Sequence, residues 1–196
     1  MMHFARQSEE NYLKTLFKLG LKDIKKLNNT ALAKEMDLNP ATVLEMMRKM
    51  KAQSLVELMP DKRLQLTDKG KRKALLIIRK HRIWEVFLVQ KLEYGWNEVH
   101  SLAEQLEHIE SEDLIDRLDS FLGFPQFDPH GDPIPDKKGR IKLHTTIPLI
   151  SGKAGYNYEV RNLAETADSF LAYLEKTGIR PGVAIKVKEV NEYDRS

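Results

Sequence analysis

The sequence predicts a mainly helical protein with small β parts. The expected order is a winged helix-turn-helix, a helical domain, a loop-rich linker and a small β domain. Three observations predict it. Residues 1–70 spell helix, turn, capped helix and a two-strand hairpin. Apolar residues recur at helical spacing through most of residues 8–92. Charge is divided along the chain: residues 1–75 hold 16 Lys/Arg against 9 Asp/Glu, residues 76–125 hold 5 against 10, and residues 126–196 hold 11 against 10. A net charge of +3 therefore hides a basic first segment joined to an acidic second one. That balance suits a nucleic-acid arm joined to a cation-binding or pairing arm. The boundaries placed on this pattern are 1–73, 74–125, 126–144 and 145–196.

Bulk properties narrow the class. A chain of 196 residues can form one to three small domains with a real core. With no Cys, disulfides, thiolate zinc sites and Cys nucleophiles are excluded, which fits a reducing cytosol. There is no long apolar run and no charged-then-apolar leader, so a soluble, unexported, cytoplasmic protein is expected, without a membrane partner.

In the first segment, Ser8 can cap a helix, with Glu9 and Glu10 in the first turn where the dipole favours carboxylates. Tyr12, Leu13, Leu16 and Phe17 then recur at helical spacing. Thr30 is placed to cap a short second helix, ALAKEM, which turns Leu32 and Met36 inward. After the turn DLNP, Asn39 is a good N-cap and Pro40 a good first helical residue. The third helix, about Pro40–Ala52, buries Val43, Met47 and Met50. Two strand-like stretches, LVELMP and RLQLTDKG, flank Asp61-Lys62.

A helix in this position lies in the major groove with its N-terminal residues at base edges. Those residues are Asn39, Pro40, Ala41, Thr42 and, one turn on, Glu45. Arg48, Lys49 and Lys51 are placed for phosphates, as are Lys62 and Arg63 at the hairpin tip. Phosphate contacts would supply much of the affinity and make it salt-dependent. The plainer reading is a helical module with a solvated basic face, because helix-turn-helix cores also serve protein–protein contacts.

A long helix, about Asp68–Leu92, follows, with Leu75, Leu76, Ile78, Ile83, Val86 and Phe87 as its apolar positions. His81 and Glu85 share a face at i, i+4. On the next helix, starting near Asn97 or Glu98, Glu104, Glu107 and His108 share a face, with His100 one turn earlier. A mixed imidazole and carboxylate set suits Mn(II), Fe(II), Co(II) or Zn(II) better than Mg(II) or a thiophilic ion. The plainer reading here is a solvated face of an amphipathic helix.

Several strings carry a family resemblance: ENYLKTLFKL, NPATVLEMMRKM, LQLTDKGK, RKHRIWEVFL, WNEVHSLAEQLEHIE and PHGDPIP, in this order from about residue 8 to 135. Together they resemble the diphtheria-toxin-repressor family of metal-dependent transcriptional regulators, including its manganese-sensing branch. The resemblance implies an N-terminal winged helix-turn-helix, a helical metal-binding and dimerisation domain and a C-terminal SH3-like domain. It also implies a homodimer that binds palindromic operator DNA when loaded with Mn(II) or Fe(II), with Zn(II) or Co(II) able to substitute in vitro.

The resemblance places ligands one by one. His81, Glu85 and His100 match an ancillary site of the iron-responsive branch, and His81 is also a ligand in the manganese branch. Glu104 stands where iron-responsive members have Cys and manganese sensors Glu. Glu107 and His108 match ligands common to both. Asn11 takes the position of a first-helix ligand that is Met in one branch and Asp in the other. One turn on, where manganese sensors have Glu, this chain has Lys14, a cation like the basic residue of the iron-responsive branch. The expected site is thus a hybrid, oxygen-rich but in an iron-type frame. A metal joining Asn11 to Glu104, Glu107 and His108 would fix the DNA-binding end against the dimerisation domain. Leu44 and Glu45 also depart from the family's reading helix, so the operator sequence is not inherited.

Residues FDPHGDPIPDKKGR read as a linker, with His130 assigned to turn chemistry rather than to a metal. Beyond it, YNYEVRNL and VAIKVKEV read as strands and ADSFLAYLEKTG as a helix closed by Gly178. The SH3-like domain is expected to be incomplete, since a small barrel needs more strands than remain. Glu165 and Asp168 fall near that domain's ancillary ligands by resemblance. Two other classes stay open: a DNA-binding dimer without metal control, and a helical metallohydrolase. The second lacks an HExxH string, since LEHIE has a different spacing, and a non-enzymatic protein is expected.

Overall fold

A computed structural model describes residues 2–23, 27–142, 145–163 and 167–191. The elements run α1 (Met2–Asp23), α2 (Asn29–Glu35), α3 (Pro40–Ala52), β1 (Val56–Leu58), β2 (Leu64–Leu66), α4 (Asp68–Leu92), α5 (Val99–Leu106), α6 (Glu112–Phe121), β3 (Asn157–Glu159), α7 (Asp168–Thr177) and β4 (Ala184–Lys186). The chain is therefore mainly helical with small sheets, as the sequence predicts. The chain forms two compact units. One holds Met1–Lys80, Glu107–Glu110 and Pro135–Ile141; the other holds His81–Leu106, Ser111–Ile134 and Lys142–Ser196. Among the described residues no helix is long and apolar enough to cross a membrane.

The first unit is organised by one core. Tyr12, Leu13 and Leu16 of α1 meet Leu32 and Ala33 of α2, Val43, Met47 and Met50 of α3, and Val56, Leu64 and Leu66 of the hairpin. The third helix is as the sequence reading has it: Asn39 Oδ1 accepts from Ala41 N at 2.8 Å, and Pro40 takes the first helical position. Two starts differ. α1 begins at Met2 rather than after Ser8, because residues 2–7 contain no breaker and continue the helix upstream. The cap of α2 is Asn28 rather than Thr30, its Oδ1 accepting from Ala31 N at 2.9 Å. β1 and β2 pair antiparallel in the register Val56↔Leu66 and Leu58↔Leu64, turning through Lys62, whose φ is 64°.

In the second unit Ile83, Ile115 and Leu118 form a small core with Trp84, Phe87, Leu122 and Ile134 against it. α6, which the sequence reading did not single out, carries its own signals. Ser111 Oγ accepts from Leu114 N at 3.1 Å, and Glu112 and Asp113 fill the first turn. The C-terminal part pairs β3 with β4 antiparallel, and Gly178 closes α7 at φ 70°.

Two glycines are fixed by close approach. At Gly131, φ is 88° and a Cβ would meet the Arg161 carbonyl oxygen at 1.8 Å. At Gly70, in the first turn of α4, a Cβ would meet the Leu55 carbonyl oxygen at 2.1 Å. The helix propensity that alanine adds is about 1 kcal/mol, too little to offset a backbone clash. Gly70→Ala should lower the unfolding free energy by about 1–3 kcal/mol, read as a lower urea midpoint at unchanged slope.

Candidate metal centre and nucleic-acid interface

The second unit gathers imidazoles around one buried carboxylate. Glu85, on α4, is 2% exposed. Its Oε1 lies 3.0 Å from His81 Nε2, 3.2 Å from His100 Nδ1 and 3.8 Å from His130 Nδ1. His81 Nε2 and His100 Nδ1 are themselves 3.2 Å apart. Donors bound to one ion at ~2.0–2.1 Å in a tetrahedron stand about 3.3 Å apart, a spacing that these hydrogen-bonded side chains share with a coordination shell. Glu104 Oε1 extends the group, 3.6 Å from His100 Nε2 and 4.0 Å from His81 Nδ1. Among the described residues, two sets have ligand atoms within 4.8 Å of one another: His81 with His100 and Glu104, and Glu85 with Asp128 and His130.

The loop after α6 supplies Asp128 and His130. Asp128 Oδ1 accepts from His130 N at 2.8 Å and Asp132 N at 2.9 Å, a local turn that aims the side chains. His130 Nε2 donates to the Trp96 carbonyl at 2.9 Å, which turns Nδ1 toward Glu85. A histidine pinned through one nitrogen by a carbonyl is how proteins orient metal-ligating imidazoles. Burial would raise Glu85, but hydrogen bonds from His100, His130 and His81 hold it well below the usual carboxylate range. Burial, then the charge of Glu85, push Asp128 up to about 7, despite Arg82 Nε at 3.3 Å from its Oδ2. Burial alone would lower His130, but its hydrogen bond to Glu85 and the charges of Glu85 and Asp128 raise it. The donor set of nitrogens and carboxylate oxygens fits a divalent transition ion.

In the first unit a different arrangement surrounds Glu107 and His108. Lys14 Nζ donates to both carboxylate oxygens of Glu107, at 2.7 and 2.8 Å. Glu107 is 0% exposed and Lys14 5%. His108 Nδ1 donates to Glu10 Oε2 at 2.6 Å, leaving Nε2 4.0 Å from Glu107 Oε1. Arg6 pairs with Glu10 at 3.2 Å and with Glu110 at 2.6 Å. Burial pushes Lys80 down, and the charges of Glu10 and Glu107 act the other way. Asn11 Oδ1 is buried without a hydrogen-bond partner. The donor frame of a metal site is thus present, but its carboxylate is bound to an ammonium. A divalent ion ~4 Å from that ammonium would meet a repulsion of about 8 kcal/mol at an effective dielectric of ~20.

Without an ion, the residues expected from the sequence fall into two groups. Glu104 faces His81 and His100, Glu107 is held by Lys14, and His108 by Glu10. His130, assigned to turn chemistry from the sequence, instead brings a ring nitrogen to Glu85, while Asp128 performs the turn and joins the same cluster. The signal for both was in DPHG, an acid and a histidine two residues apart in a rigid Pro-Gly turn. Glu165 lies outside the described residues, and Asp168 is described only as the first residue of α7.

On the reading surface, Asn39, Pro40, Ala41, Thr42, Glu45, Arg48, Lys49, Lys51 and Lys62 are exposed and Arg63 is partly buried. Glu45 accepts from Lys49 Nζ at 2.8 Å, which lowers the Glu45 carboxyl. Arg63 pairs with Asp61 beside the wing tip. Glu45 and Asp61 thus hold two of the basic side chains assigned to phosphates.

Comparison with known proteins places this geometry. Residues 6–64 match the iron dependent repressor N-terminal DNA binding domain, and residues 67–136 match the iron dependent repressor metal binding and dimerisation domain. The chain is 34% identical over 192 residues to the iron-dependent repressor IdeR of Mycobacterium leprae, covering 91% of this chain and 83% of that protein. It is 36% identical over 126 residues to IdeR of Mycobacterium tuberculosis, covering 64% of this chain and 54% of that protein. The chain thus spans about half the length, 54%, of the curated relatives it matches first. Among solved structures, a manganese-dependent transcriptional repressor in complex with manganese superposes with a TM-score of 0.82 at 34% identity, over 94% of this chain and 85% of that one. ScaR with bound Cd2+ superposes with a TM-score of 0.81 at 34% identity, over 94% and 86%.

The Lys14–Glu107 pair sets a stability expectation. Lys14→Met strands a buried carboxylate and should cost about 3–5 kcal/mol in metal-free buffer, whereas Lys14→Met with Glu107→Leu should recover most of it. Chemical denaturation of the two single variants and the double one measures this.

Proposed function

Because the chain belongs to the iron-dependent repressor family, whose members are transcriptional repressors rather than enzymes, we propose that it is a metal-dependent DNA-binding repressor. It acts as a homodimer on operator DNA when loaded with Mn(II) or Fe(II). The observation that carries this reading is the convergence of His81, His100 and His130 on Glu85, with Glu104 and Asp128 alongside. Oxygen-rich ligation without thiolate favours Mn(II) or Fe(II), with Zn(II) or Co(II) able to bind in vitro. These residues would hold the ion, and a bound ion supplies a fixed positive charge among ionised side chains.

Loading would clamp three stretches of the second unit: the C-terminal half of α4, α5 and the 128–130 loop. A domain ordered in this way gives a homodimer a defined frame. Two α3 helices could then settle at successive major grooves, about 34 Å apart. Asn39, Pro40, Ala41, Thr42 and Glu45 would face bases, and Arg48, Lys49, Lys51, Lys62 and Arg63 would face phosphates. Coupling requires the ion to bind the DNA-competent arrangement better than the other. A ~100-fold preference corresponds to about 2.7 kcal/mol.

An anaerobic titration of Mn(II) and Fe(II), followed by fluorescence anisotropy on DNA from the protein's own promoter, tests the reading. Affinity should rise by ~100-fold on loading and stay at its metal-free level in Glu85→Gln/His130→Gln. Tight binding unchanged by a chelator would instead establish a DNA-binding dimer without metal control.

Protonation gives a second expectation. Glu85 sits well below the usual range and is already ionised near neutrality, while Asp128 is pushed to about 7 and His130 is raised above its ordinary value. Both must lose protons to ligate, so loading at pH ~6.5 should release about one to two protons per ion. The release should shrink by pH ~8.5, where Asp128 is deprotonated beforehand. In the metal-free fold the raised His130 contributes stability below pH ~6.5 that is lost as pH climbs through its raised value. Calorimetry in buffers of different ionisation enthalpy counts the protons.

A further inference from the structure

We infer that Glu45 is a specificity-determining residue of the DNA interface, its carboxylate accepting from the N4 amino group of a cytosine in each half-site. The inference rests on the reading above, in which the two α3 helices of a homodimer enter successive major grooves.

The fold turns this side chain outward. Val43, Met47 and Met50 are buried, and they fix which face of α3 packs on the first unit's core. At ~100° per residue, Glu45 stands on the opposite side of the helix from all three. Its side chain is 69% exposed. Ala41, about one turn before it, and Ala52, about two turns after it, share the same outward ridge. Both are exposed, and neither side chain carries a hydrogen-bonding group. Asn39 has its side-chain oxygen committed to Ala41 N at 2.8 Å, so at the helix start it has only its amide nitrogen to offer. Glu45 is the one acidic residue of α3, and it stands at the centre of the face that a groove-bound helix presents to base edges.

Charge decides what it reads. Phosphates repel a carboxylate, so Glu45 weakens binding to DNA in general. Lys49 Nζ lies 2.8 Å from Glu45 Oε1 and offsets part of that charge without removing it. Their hydrogen bond lowers the Glu45 carboxyl, so the group is ionised near neutrality. An ionised carboxylate only accepts. Guanine presents N7 and O6 acceptors in the major groove, and thymine presents an O4 acceptor and a methyl group, so neither matches. The N6 amino group of adenine lies between two acceptors, its own N7 and O4 of the paired thymine. The N4 amino group of cytosine has an acceptor on one side alone, O6 of the paired guanine. Cytosine is therefore the base that repels this carboxylate least and satisfies it best. A residue that costs affinity everywhere and recovers it at one base raises the ratio of specific to non-specific binding.

The test selects binding sites from a pool of random-sequence duplexes, using the full-length protein in Mn(II), for the wild type, Glu45→Gln and Glu45→Ala. Fluorescence anisotropy on the enriched duplexes then gives affinities, and circular dichroism checks that each variant is folded. The wild type should require cytosine at one position in each half-site and lose ~10-fold or more when that C·G pair becomes T·A. Glu45→Gln should move the preference at that position to adenine, whose N6 and N7 a carboxamide matches bidentately, and leave the other positions unchanged. Glu45→Ala should flatten that position and bind unselected duplexes more tightly than the wild type. Base preferences that coincide in the wild type and Glu45→Ala overturn the inference. So does a Glu45-dependent position at which the wild type demands guanine, thymine or adenine. Enrichment that proceeds equally in chelator would sink the proposed metal control, while a cytosine lost with Glu45 would still support the inference. A wild type that enriches no sequence, with metal or without, sinks both.

Discussion

Glu85 is the group on which the second unit's chemistry depends. A carboxylate that is 2% exposed pays a desolvation cost that burial alone would relieve by protonation. Here three imidazoles converge on one of its oxygens and keep it charged. That requirement explains why elements far apart in sequence are held together. His81 must stand one helical turn before it on α4, His100 must come from α5, and His130 must come from a loop made rigid by Asp128 and by Gly131. Trp96 closes the arrangement by taking the remaining nitrogen proton of His130 through its carbonyl.

Charge balance separates this cluster from the Glu107 group more sharply than residue type does. Both contain Glu and His in spacings that read alike. In one, acidic groups exceed the neighbouring cations, and Asp128 rises to about 7 because it is buried and because Glu85 beside it is negative. A divalent ion relieves that excess. In the other, an ammonium already sits at hydrogen-bonding distance from both oxygens of the carboxylate.

Much of the fold was legible because its signals are local. Asn39-Pro40 marks a helix start, the 3.6-residue recurrence of Val43, Met47 and Met50 marks a face, and Gly178 marks an end. Misplaced starts came where two cap-competent residues compete: Asn28 is preferred to Thr30, and Ser8 is simply overrun by helix formers upstream. The site was legible only in part. His81 with Glu85, and His100 with Glu104, each share a helix and show their spacing. His130 and Asp128 do not, because a loop residue reveals its target only once the chain has folded. Turn chemistry and metal-ligand geometry also use the same residue types, and in Asp128 one side chain makes the turn and faces Glu85 as well.

Lys14 was legible as an identity but not as a partner. A lysine on the face of an amphipathic helix is ordinarily solvated, and its four-carbon stem lets the head reach water. Nothing local says that this one is buried. Its partner lies 93 residues away, and burial of the pair follows from α1 presenting Tyr12, Leu13 and Leu16 to the first unit's core. That packing fixes the rotation of α1 about its axis. With Leu13 turned into the core, Asn11 and Lys14 are carried onto the adjoining face, where residues 107–110 join the same compact unit. The apolar pattern of the first helix thus determines what its polar residues meet, and the carboxylate they meet already has a cation.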